Sequence, residues 1–227
     1  GLRQAVLNAI FQEVPPIMLS QVWYLDSLSA PSYVISSLLG IEELVNLKWL
    51  DVSGNMIIDV TPLAELSALE WLSLQGNDIA HTAVSPLMGL VRLEYLDLKH
   101  NSLELVPDFS SLTSLRELDI ANFIDMGGGN TYSDLSPLAS LTQVTDLDIG
   151  WIYVEFDLTP IASMTNLTRL SMEWNTITDL SALSGLSHLR MVDARGNSVT
   201  EVLPLVNNLS FATNDTLWIQ SNSLSAN

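Results

Sequence analysis

One apolar phrase returns along this chain about every 22 residues, and it restricts the fold more than any other feature. Leu47-x-x-Leu50-x-Val52-x-x-Asn55 recurs as Leu69-x-x-Leu72-x-Leu74-x-x-Asn77 and as Leu93-x-x-Leu96-x-Leu98-x-x-Asn101. It recurs again as Leu167-x-x-Leu170-x-Met172-x-x-Asn175 and Leu189-x-x-Val192-x-Ala194-x-x-Asn197. Two weaker copies, at Leu115, Leu118 and Ile120 and at Val144, Leu147 and Ile149, carry Phe123 and Ile152 where the Asn is due. A last copy runs Leu217-x-Ile219-x-x-Asn222. Counting back 22 residues from Leu50 recovers a degenerate opening turn at Leu28, with Ile35 and Leu38 aligned on Ile57 and Val60. About nine turns result, over residues 22–227, the first and last degenerate.

Each unit has a physical reading. The period of two in Leu50-x-Val52 marks a short strand with both apolar side chains on one face. The Asn three residues later is small enough to turn inward and bond backbone groups that a bend would otherwise bury unpaired, so stacked copies predict an Asn ladder. Asp59, Asp134 and Asp157 precede Pro62, Pro137 and Pro160 and are expected to cap short helical turns. A single unit buries little, so neighbours must stack and the ends must be covered. Leu2, Val6 and Ile10 at helical spacing, closed by Pro15-Pro16, predict an N-terminal helical cap over 1–21. The expected architecture is α/β: a right-handed solenoid with a parallel β-sheet on its concave face and short helical or 3-10 turns and extended segments on its convex face. It forms one structural domain.

Of the 227 residues 48% are hydrophobic, which supports a sizeable core and excludes disorder, although the net charge is −18. That charge repels phosphate backbones and anionic lipid heads, so nucleic acid and a bare membrane surface are not expected partners. No stretch approaches the roughly 18 apolar residues of a membrane span, and no direct membrane insertion is expected. Zero cysteines exclude disulfides and thiolate metal sites.

The L-x-x-L-x-L-x-x-N phrase resembles the leucine-rich repeat family, and the 22-residue form with Asp59-Val60-Thr61-Pro62-Leu63 is similar to the internalin-like bacterial proteins. The segment from Ser37 to Leu47 resembles the opening of such arrays. The resemblance covers about residues 22–224. It implies a curved solenoid that binds another macromolecule by its concave face, and export to a cell surface or beyond. A monomer with no cofactor is the expectation.

Residues flanking the inward pair of each strand point outward, so the concave face can be read by arithmetic. One column runs Trp49, Trp71, Tyr95, Glu117, Asp146, Arg169, Met191 and Thr216, and the next runs Asp51, Ser73, Asp97, Asp119, Asp148, Ser171, Asp193 and Trp218. Trp49, Trp71 and Tyr95 fall on successive strands roughly 5 Å apart and form one aromatic strip of the residue types that dominate interface hot spots. Alternatively, the N-terminal cap folds over that strip, or stacking is its whole role. Asp97, Asp119 and Asp148 form an acidic run with the chemistry to hold a hard cation or attract a basic partner, but no Asp-rich calcium loop accompanies it and no metal site is assigned.

Consecutive strand leucines lie 22, 22, 24, 22, 29, 23, 22 and 25 residues apart, and the 29 marks an insertion at 122–133 containing Gly127-Gly128-Gly129. Trp151 and Trp174 occupy the slot before the Asn position on adjacent turns, with Tyr153 and Phe156 nearby, and are expected to line one rim. The middle of the array either distorts to present a site or repacks with Phe123 and Ile152 as core.

His81, His100 and His188 lie on different turns, and no H-E-x-x-H, G-x-S-x-G or phosphate-binding loop is present, so no enzyme activity is expected. The reading is a non-catalytic recognition module of a secreted or cell-surface bacterial protein, binding a protein or glycan through Trp49, Trp71, Tyr95, Asp97, Asp119 and Asp148 and a rim of Trp151, Tyr153 and Trp174. The alternatives are a cytoplasmic scaffold or regulatory subunit and a structural spacer.

Overall fold

The computed structural model describes residues 23–123, 128–208 and 215–224. The expected cap helix over 1–21 lies outside the described residues. Nine strands of three residues each follow the repeat: β1 (Ser27–Ser29), β2 (Trp49–Asp51), β3 (Trp71–Ser73), β4 (Tyr95–Asp97), β5 (Glu117–Asp119), β6 (Asp146–Asp148), β7 (Arg169–Ser171), β8 (Met191–Asp193) and β9 (Thr216–Trp218). They form one parallel sheet in chain order. The register is unshifted throughout, aligning Leu28, Leu50, Leu72, Leu96, Leu118, Leu147, Leu170, Val192 and Leu217 in one row.

From Leu28 to Val192 that row is buried, together with the preceding leucines Leu47, Leu69, Leu93, Leu115, Leu167 and Leu189. Each fully buried leucine is worth about 2 kcal/mol relative to exposure, so the repeat supplies its own core. On the opposite side the chain makes 3-10 turns, such as Thr61–Glu65, Ser136–Ser140 and Thr159–Ser163, each with Pro in its first two positions and one inward residue, Leu63, Leu138 or Ile161. The predicted capping aspartates sit one residue earlier than expected, since Val60, Leu135 and Leu158 occupy the N-cap positions. Asp59, Asp134 and Asp157 instead accept the N–H of the first helical residue at 2.8–2.9 Å, closing an Asx turn. Hydrogen bonds from the hydroxyls and backbone N–H groups of Thr61 and Thr159, and from the backbone N–H and hydroxyl of Ser136, hold the three exposed carboxyls below the usual carboxylate range.

The Asn ladder is the polar counterpart of the core. Asn77 Nδ2 donates to Leu74 O of its own turn at 2.9 Å and to Val52 O of the turn before at 3.1 Å, while its Oδ1 accepts from Ile57 N at 3.0 Å. Asn55, Asn101, Asn175, Asn197 and Asn222 repeat this arrangement. Buried backbone groups between turns are satisfied without sheet pairing.

Candidate functional site

The unshifted register places the outward residues of successive strands side by side. Trp49 and Trp71 stack with ring centroids 4.5 Å apart and planes 15° from parallel, and Trp71 and Tyr95 follow at 4.6 Å and 3°. All three rings are half-buried, so their faces cover one another while their edges reach solvent.

The neighbouring acidic column has a backbone duty before any other. Asp51, Asp97, Asp119, Asp148 and Asp193 each accept, through Oδ1, the N–H two residues further on, at 2.9–3.2 Å. Asp97 is buried and also accepts from Ser73 Oγ at 3.1 Å. Lys99 answers the charge in this column, with its Nζ 3.0 Å from Asp119 Oδ2 and 3.2 Å from Asp148 Oδ2. Burial works against the ammonium, but the two carboxylates outweigh it and hold Lys99 charged. Asp119 is pushed up to about 7, first by burial and then by the Asp148 charge, with Lys99 opposing both. Among the described residues no group of three His, Asp or Glu side chains is arranged to hold a metal ion.

The rim rests on backbone geometry. The residue preceding each ladder position takes the left-handed conformation: Gly54 at φ 63°, Gly76 at 64° and Gly196 at 63°, but also His100 at 51°, Trp151 at 62° and Trp174 at 55°. A side chain there costs roughly 1–2 kcal/mol. Trp151 and Trp174 recover part of this by stacking at 5.0 Å, and Trp151 Nε1 donates to Glu173 Oε1 at 3.1 Å. Trp174 lies across Gly196, where any Cβ would come within 2.6 Å of the indole. Tyr153, also at positive φ, meets Trp151 edge-on at 6.1 Å. Tyr153 is 55% exposed and Trp174 40%.

The insertion corrects one expectation. The fifth turn does not lose its ladder residue to Phe123: Asn130 supplies it from beyond the loop. Its Oδ1 accepts from Leu103 N at 3.0 Å and its Nδ2 donates to Ile120 O at 2.9 Å and Leu98 O at 3.1 Å, matching Asn77 bond for bond. Asn122 clasps the loop base by accepting Asn130 N at 2.8 Å and donating to Asn130 O at 2.9 Å. Phe123 is therefore released from the core and packs 4.7 Å from His100, over Gly76. Ile152 does join the core, as does Phe156, which is buried 5.8 Å from the Tyr132 ring instead of lining the rim, and the Tyr132 hydroxyl donates to Ile120 O at 3.0 Å.

A leucine-rich repeat family model matches residues 67–122. Internalin C2 from Listeria monocytogenes shares 31% identity with this chain and a TM-score of 0.82, the alignment covering 99% of this chain and 92% of that one. The chain belongs to the internalin-like family of bacterial leucine-rich repeat proteins. The functional domain of InlJ, also from Listeria monocytogenes and described as including a cysteine ladder, is 26% identical with a TM-score of 0.72, over 96% of this chain and 45% of that one. A plant peptide hormone receptor, RGFR1 in complex with RGF2, shares the fold at 19% identity and a TM-score of 0.60, over 88% of this chain and 36% of that one. A search of curated proteins returns no match.

Within this internalin-like frame the predicted residues fall into two groups. Trp49, Trp71, Tyr95, Asp97, Asp119 and Asp148 share the concave face, while Trp151, Tyr153 and Trp174 share the rim. Sequence reasoning missed Lys99 and Glu173. They follow Asp97 and Ser171 by two residues, but their partnerships depend on side-chain reach across strands. Arg195, two residues beyond Asp193, was also missed: it forks onto Asp193 and lies 5.7 Å above the Trp218 ring.

Proposed function

We propose that this chain is a non-catalytic recognition module of a secreted or surface-displayed bacterial protein, and that it grips a protein partner by its concave face. The observation that carries this reading is the stacked, half-buried ladder Trp49–Trp71–Tyr95 beside the acidic column. Half-buried tryptophan and tyrosine, held rigid by their neighbours, offer large contact area at little entropic cost. The facing sides of the rings are spent on one another, which leaves a glycan, because sugars stack on open faces, only the two ends of the ladder. A protein surface can instead pack against ring edges and pair with the flanking charges. Membership of the internalin-like family supports both the binding role and the location. Among the described residues no helix is long and apolar enough to cross a membrane.

The test is a binding screen of the chain against extracellular proteins and a glycan array, run beside the Trp49→Ala/Trp71→Ala double variant. A protein ligand whose affinity falls by at least about 2 kcal/mol in the variant, roughly thirtyfold in Kd, supports the reading. A glycan ligand, or a protein ligand indifferent to the variant, contradicts it.

A further inference from the structure

The aromatic ladder stops at β4, because β5 presents Glu117 in register with Tyr95. Trp71 covers one face of the Tyr95 ring, and beyond Tyr95 the sheet dips into a recess of about 160 Å³. Its polar walls are Tyr95, Glu117, Asp119, Asp146, Asp148 and Arg169. At that volume it is smaller than the roughly 300–1,000 Å³ of sites built for small organic ligands. It has room for the end of one side chain.

The charges in the recess do not balance. Glu117 faces Asp146 across adjacent strands, and Asp119 faces Asp148. Like charges directly opposite in a sheet are destabilising unless a cation stands between them. Lys99 pairs with Asp119 and Asp148. Among the described residues neither the Glu117 nor the Asp146 carboxylate has a hydrogen-bond or ion-pair partner. Arg169 stands beside Asp146 in register, yet burial and the Asp146 charge together still hold the Glu117 carboxyl above its ordinary value. Two carboxylates with neither a hydrogen bond nor an ion pair among the described residues, facing only Arg169 on β7, therefore sit next to an aromatic ring at the end of the proposed binding strip.

We propose that this recess receives a lysine or arginine side chain projecting from the protein partner, its cationic head between Glu117 and Asp146 and its stem against the Tyr95 ring. The proposal rests on the concave face being a protein-docking surface and adds the chemistry of the partner's anchor. The attraction combines charge complementarity, which fixes register along the face, with the cation–aromatic contact that Tyr95 offers. Recognition of this kind needs a projecting base at one point of the partner, with an apolar surface beside it to meet the Trp49–Trp71 edges.

The experiment is a chemical-shift titration of the full chain with three acetylated, amidated tripeptides, Gly-Lys-Gly, Gly-Arg-Gly and Gly-norleucine-Gly. The lysine or arginine peptide is expected to give saturable shifts confined to β4–β7, in the millimolar range, with none from norleucine. Glu117→Gln/Asp146→Asn should weaken that binding about tenfold. Both changes are near-isosteric at carboxylates without hydrogen bonds, and circular dichroism confirms that the variant is folded. Equal shifts from norleucine, absence of shifts from either cationic peptide, or unchanged affinity in the variant would overturn the proposal. Loss of the protein ligand in Trp49→Ala/Trp71→Ala with no cationic-peptide binding would sink the recess alone. Cationic-peptide binding with that double variant fully active would sink the concave reading instead.

Discussion

The Asn130 side chain satisfies five backbone groups at once: it accepts from Asn101 N and Leu103 N and donates to Leu98 O, Ile120 O and Ala121 O. Truncation in Asn130→Ala leaves several of these buried and unpaired, and is expected to cost about 3 kcal/mol in urea unfolding. A change under about 0.5 kcal/mol would place Asn130 outside the ladder. The residue was legible in a way that counting forward from the strand missed. Asn55 stands seven positions before Pro62, and counting seven back from Pro137 lands on Asn130, past the insertion. Asp119 gives a second prediction at this scale. A carboxyl whose folded pKa of about 7 exceeds its ordinary 3.8 keeps its proton longer when folded. Its contribution therefore favours the folded state at low pH and is lost as pH rises through that window. The urea midpoint should fall between about pH 4 and about pH 7 at constant ionic strength, and Asp119→Asn should flatten the fall. The Asx-turn carboxyls Asp59, Asp134 and Asp157 titrate below 3.8 and leave this window untouched. A flat wild-type profile would contradict the burial of Asp119 beside Asp148.

At the level of elements, the strands were the most readable part, because two apolar residues at a spacing of two fix both the strand and its inward face. The 3-10 turns were readable to within one residue, the error arising because Asp59 and its equivalents bond the first helical N–H from outside the cap. The insertion was visible as excess length but not as a clasp. Since Asn122 and Asn130 bond each other twice, the segment 123–129 can be removed without breaking the ladder, and its deletion restores the 22-residue period. The deleted chain is expected to unfold cooperatively within about 1 kcal/mol of wild type, because shortening a loop changes its closure entropy only slowly. The contact between Phe123 and His100 is the small loss. Failure to fold would mean that the insertion itself supports the sheet.

Across the whole molecule, a nine-strand parallel sheet carries an aromatic ladder toward one end, a carboxylate recess in its middle and a strained tryptophan pair on its rim. The composition of the concave columns was legible because an unshifted register turns sequence spacing directly into adjacency. The charge pattern within them was not, since Lys99 reaches past β5 to Asp148, 49 residues away in sequence, and no local rule fixes such a reach. The strained rim was hidden for a different reason: the slot before the ladder Asn reads as a glycine position in some turns, and only the backbone angles reveal that Trp151 and Trp174 hold the same conformation. The central claim is that the concave face is the binding face. Hydroxyl-radical footprinting of the chain, free and bound to the protein captured in the screen, tests it most directly. The account predicts that binding suppresses oxidation of Trp49, Trp71 and Tyr95 while Trp174 and Tyr153 react as in the free chain. Protection of Trp174 and Tyr153 with the concave rings unprotected would contradict it and move the site to the rim.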